Sequence, residues 1–104
     1  MSAYTLTRQA YRDLEEAEDL LSPRSADAAH RFIVRAVEVF ELLAAHPELG
    51  RRRPELKAGL RSFSLKTHTA YYRIARGEVQ ILRVLPGARD AAAVFAVMED
   101  QPAD

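Results

Sequence analysis

The chain has 104 residues, with fifteen acidic and fifteen basic side chains, three histidines and no cysteine. That length suits a single domain over residues 1–104; the lack of cysteine excludes a disulfide framework, and the scattered His30, His46 and His68 offer no zinc site, so no metal or cofactor is expected. The charge balance excludes an affinity resting on a bulk positive field, and with neither a membrane-length apolar stretch nor a signal-peptide plan in Met1-Ser2-Ala3-Tyr4, the expected compartment is the cytoplasm.

Tyr4-Thr5-Leu6 is short and β-prone, and Thr7 after it is a good N-cap. Ala10, Leu14, Ala17 and Leu21 then recur at helical spacing, predicting a first helix that Ser22-Pro23 stops. Ser25 can cap a second helix, whose Ala29, Phe32, Ile33, Ala36, Phe40 and Leu43 form a broad apolar stripe ended by Pro47 and Gly50. Two amphipathic helices joined by so few residues are expected to lie antiparallel.

The segment from Arg51-Arg52-Arg53 to Gly59 reads as a basic connector. Beyond it the period becomes strand-like: Leu60 to Lys66 alternates Arg61, Phe63 and Leu65 with Ser62, Ser64 and Lys66. Thr67-His68 turns into a strand from Ala70 to Ala75, and Arg76-Gly77-Glu78 turns into another from Val79 to Leu85. Pro86-Gly87 breaks that run, after which Asp90 can cap a short helix carrying Ala91, Val94, Phe95 and Met98 on one face; Gln101 to Asp104 reads as a frayed tail. The helical stripes require an apolar partner, and one face of the sheet is the surface large enough to cover them. The expected fold is α+β, in the order β-α-α-β-β-β: a helical hairpin on a small antiparallel sheet, the first strand pairing with one of the later three, and a short C-terminal helix.

That order, with Tyr4-Thr5-Leu6-Thr7, Asp13-Leu14, His46-Pro47-Glu48-Leu49-Gly50-Arg51, Pro54-Glu55-Leu56, Gly59-Leu60-Arg61, Tyr72-Arg73 and the run Ile81-Leu82-Arg83-Val84-Leu85-Pro86-Gly87-Ala88-Arg89-Asp90, resembles the RelE/ParE toxin superfamily from Tyr4 to about Phe95. ParE-like chains commonly place a histidine where Pro86 stands. The resemblance implies a small intracellular toxin of a type II toxin–antitoxin system, neutralised by a cognate ParD-like or other small antitoxin in a hetero-oligomer. RelE-like members of the superfamily cut messenger RNA on the ribosome, whereas characterised ParE-like members act on DNA gyrase.

Cutting RNA without a metal requires a group to activate the 2′-hydroxyl, cations for the phosphorane and an acid for the leaving oxygen. Matched to the RelE-like pattern, this chain keeps Arg89 but has Phe95 where the nuclease tyrosine falls and Thr69 where one arginine falls. A phenyl ring moves no proton, so the resemblance points to gyrase and to no catalytic residue. The ribosome-dependent endoribonuclease is the alternative, with His68 as substitute acid or base, although a turn histidine is ordinarily just solvated. Arg61, Tyr72, Arg73, Arg83 and Arg89 are the expected binding residues, on a basic sheet face that meets the target or an antitoxin segment alternating acidic and apolar residues. Tyr71 and Tyr72, adjacent on a strand, point to opposite faces, so one of them belongs to the core.

Overall fold

The computed structural model describes residues 3–87 and 89–97, together with the backbone but not the side chain of Met98. In chain order the elements are β1 (Tyr4–Leu6), α1 (Arg8–Leu21), α2 (Ala26–Ala45), β2 (Arg51–Arg52), β3 (Arg61–Ser64), β4 (His68–Ala75), β5 (Glu78–Pro86) and α3 (Ala91–Met98). Each helix starts where its cap predicts. The Thr7 hydroxyl accepts from Ala10 N–H at 3.1 Å, the Ser25 hydroxyl from Ala28 N–H at 3.1 Å, and the Asp90 carboxylate from Ala93 N–H at 3.2 Å. The proposed tail at 101–104 and the apolar role of the Met98 side chain lie outside the described residues.

The strands form one sheet in the order β1-β5-β4-β3-β2. Pairing is antiparallel from β2 to β5, but β1 runs parallel to β5, so the sheet is mixed and not wholly antiparallel. Local patterning carries no signal for this orientation. It follows from where the hairpin lies: the Thr7 N–H extends the ladder to the Ile81 carbonyl at 3.0 Å, and its hydroxyl donates to the Leu82 carbonyl at 2.8 Å, which starts α1 along the continuing edge of β5. The supposed connector also supplies a strand, β2, too short to show a period of two. At the β4–β5 turn Arg76 and Gly77 have φ of 55° and 78°, the left-handed pair of a two-residue hairpin.

Two apolar clusters flank the sheet. Phe32, Ala36, Val39, Phe40 and Leu43 of α2, with Ala10 and Ala17 of α1, pack on Leu65, Ala70, Tyr72, Val79, Ile81 and Val84. The small residues on α1 let its backbone approach closely. On the other face, Phe95 of α3 closes a smaller cluster with Leu60, Tyr71, Leu82 and Leu85. The adjacent tyrosines divide as strand geometry requires, one to each cluster.

Candidate functional site

The β4–β5 register shifts between Tyr71 and Tyr72: Tyr72 pairs with Ile81 and Tyr71 with Arg83, leaving no β4 residue opposite Leu82. The bulge sits where β1 has ended, so backbone groups of β5 would otherwise lie unpaired under α1. Thr7 takes the Leu82 carbonyl, and Asp13 takes the Val84 N–H at 2.8 Å. The Asp13 carboxylate also accepts from Arg83 Nε at 2.8 Å and from the second guanidinium nitrogen at 3.0 Å. With side chains 6% and 13% exposed, this two-pronged pair locks α1 to the sheet, and Arg83 is committed to it.

Tyr72 is wholly buried. Its hydroxyl donates to the Pro47 carbonyl at 2.7 Å and accepts from the Gly50 N–H at 2.8 Å. Burial raises its pKa, opposed by the Gly50 N–H and the Arg61 charge. Gly50 fits because it has no Cβ, which would stand 2.5 Å from the Tyr72 hydroxyl oxygen. Arg61 finishes the brace, donating to the Glu48 carbonyl at 3.1 Å and the Gly50 carbonyl at 2.9 Å. Together they hold the loop after α2, leaving Leu49 exposed at its tip.

Arg73 has a different environment. Its Nε donates to Gln80 Oε1 at 2.7 Å across the β4–β5 pair, and Thr5 lies opposite Gln80 on β1. Thr5, Gln80 and Arg73 make a polar row on the face away from the hairpin, past the part that α3 covers. A shallow depression of about 390 Å³ there is lined by Thr5, Arg73, Ala75, Arg76, Glu78, Val79 and Gln80. Arg89 is exposed in the turn after β5, its N–H donating to the Pro86 carbonyl at 2.9 Å. The five expected residues therefore do not share one face. Arg61, Tyr72 and Arg83 serve the hairpin side, while Arg73 belongs to the open end of the opposite face.

His68 packs its ring on Phe32 at 4.8 Å and has the Thr67 hydroxyl 2.9 Å from Nδ1. Burial lowers its pKa, against a smaller rise from the Asp13 charge, which favours the neutral ring. Phe95 is fully buried, its ring edge-on to Tyr71 at 5.1 Å. Arg53, one of the connector arginines, is bound by Glu55 at 2.8 Å and the Ser62 hydroxyl at 3.2 Å and lies over the Tyr71 ring. Among the described residues no group of three or more histidine, aspartate or glutamate side chains could hold a metal ion, and no helix is long and apolar enough to cross a membrane.

Residues 4–91 match the family of the ParE toxin of type II toxin–antitoxin systems, parDE. The chain is 38% identical over 88 residues to Toxin ParE3 of Caulobacter vibrioides, covering 84% of this chain and 88% of that one. Against Toxin ParE1 of Mycobacterium tuberculosis it is 33% identical over 86 residues, covering 81% of this chain and 88% of the other. Among solved structures, "Chromosomal ParDE TA system from P. aeruginosa" superposes with a TM-score of 0.71 at 27% identity, over 83% of this chain and 96% of that chain. The chain belongs to the ParE toxin family of type II toxin–antitoxin systems.

Proposed function

We propose that this toxin stops growth in the cytoplasm by binding and poisoning DNA gyrase without chemistry of its own, and that a ParD-like antitoxin holds it inactive in a hetero-oligomer. The observation that carries the non-enzymatic reading is Phe95: at the place of the nuclease tyrosine stands a ring buried to 0% exposure against Tyr71, with no group to protonate a leaving oxygen. His68, the substitute, faces Phe32 and has Thr67 on Nδ1. Arg61 and Arg83 are occupied by Gly50, Glu48 and Asp13, so neither is spare to stabilise a phosphorane. The antitoxin is supported by the family and by the ParDE system to which the fold is similar.

Inducing the chain alone in a bacterial host tests this reading. DNA damage signalling and filamentation with intact transcripts are expected, relieved by co-expressing the antitoxin. Cleaved transcripts with halted translation would establish the endoribonuclease instead.

A further inference from the structure

The two edges of the sheet are finished differently. At one edge β2 is two exposed arginines, Arg51 and Arg52. Arg53 N–H bonds the Leu60 carbonyl, so antiparallel alternation turns the backbone of Arg51 and Arg53 inward and leaves Arg52 alone facing out. A short, charged edge of this kind resists further pairing. At the other edge β1 is Tyr4-Thr5-Leu6, without charge or proline. Val79 N–H donates to the Ala3 carbonyl and Thr7 N–H to the Ile81 carbonyl, so Ala3, Thr5 and Thr7 face β5 while Tyr4 and Leu6 turn their N–H and C=O groups outward.

The two sides of that edge differ in charge. On the Thr5 side lies the depression containing Arg73 and Arg76, two cations against the single Glu78. On the other side the Tyr4 ring lies 5.5 Å from Phe40, and Glu41 is close enough for its charge to act on the Tyr4 phenol. Val37, one turn earlier on that flank of α2, is 38% exposed. A strand added here would direct alternate side chains to cations on one side and to an apolar flank with a negative charge on the other.

We propose that the outer edge of β1 is the docking site for an extended antitoxin segment that alternates acidic and apolar residues, carboxylates toward Arg73 and Arg76 and apolar side chains toward Tyr4 and Val37. This rests on the antitoxin reading above. Main-chain hydrogen bonds to Tyr4 and Leu6 supply affinity, and the alternation fixes the register.

Residue-resolved amide hydrogen exchange tests it, on the toxin alone and in complex with the polypeptide encoded beside it. Binding is expected to slow the Tyr4 and Leu6 amides by about tenfold or more, leaving the outward Arg52 amide unchanged. Replacing Arg73 and Arg76 together by Ala is expected to weaken the complex by roughly tenfold to a hundredfold, and Arg52→Ala by less than about twofold. A complex in which Tyr4 and Leu6 stay unprotected overturns the docking site and leaves the antitoxin reading standing. No complex at all overturns both.

Discussion

The face of the sheet beneath the helical hairpin and the face that α3 half covers use their polar side chains differently. Beneath the hairpin, polar groups are buried and matched: Asp13 with Arg83 and Val84, Thr7 with Leu82, and Tyr72 with Pro47 and Gly50. On the other face α3 seals the cluster around Leu82 and Phe95, and beyond it Arg73, Arg76 and Gln80 lie open around a depression. Arginine therefore has two uses here. Where it is buried it fastens helix or loop to sheet; beyond α3 it lines an open depression.

The largest effect expected from breaking the first region is that of Asp13→Ala. It strands the Arg83 guanidinium, 13% exposed, and orphans the Val84 N–H, for a loss of about 3–5 kcal/mol in urea unfolding. Relative to a typical total of about 5–15 kcal/mol, that leaves the fold marginal. Next comes Gly50→Ala, whose Cβ would stand 2.5 Å from the Tyr72 hydroxyl oxygen; overpacking of this kind costs about 1–3 kcal/mol. Tyr72→Phe removes the partner of the Gly50 N–H and Pro47 carbonyl, at about 1–2 kcal/mol by the same measurement. By contrast Arg73→Ala, on the open face, should change stability by less than about 0.5 kcal/mol while weakening the antitoxin complex, which titration calorimetry would read.

The smallest effect expected is a pH dependence from His68. Burial holds its folded pKa below the ordinary 6.5, so the unfolded chain takes up the proton more readily. The contribution is fully present above pH 6.5 and is lost as pH falls toward the depressed folded value. Melting temperatures between pH 7.5 and 5.5 should fall less for His68→Gln than for the parent chain.

Much of this comparison was legible in the residues. Thr7, Ser25 and Asp90 fix the helix starts through local chemistry, and the alternation from Leu60 to Lys66 and the β-branched, apolar run from Val79 to Leu85 mark strands. Orientation and pairing were not legible, because they depend on contacts far apart in sequence: the parallel β1, the two-residue β2 and the bulge at Leu82 leave no periodic trace. Of the expected binding residues, Arg73 sits on an open face, whereas Arg61, Tyr72 and Arg83 are taken up by partners some 11 to 70 positions away. One signal for this was present. Asp13 lies among Ala10, Leu14 and Ala17 on the apolar side of α1, and an acid on such a stripe requires a buried partner.

The proposed action on gyrase by binding alone is tested most directly by incubating purified toxin with gyrase, ATP and supercoiled plasmid. Protease treatment should then release linear DNA in a toxin-dependent manner, and ribosome-bound messenger RNA offered to the same preparation should remain intact. Unbroken plasmid together with cut messenger RNA would contradict it.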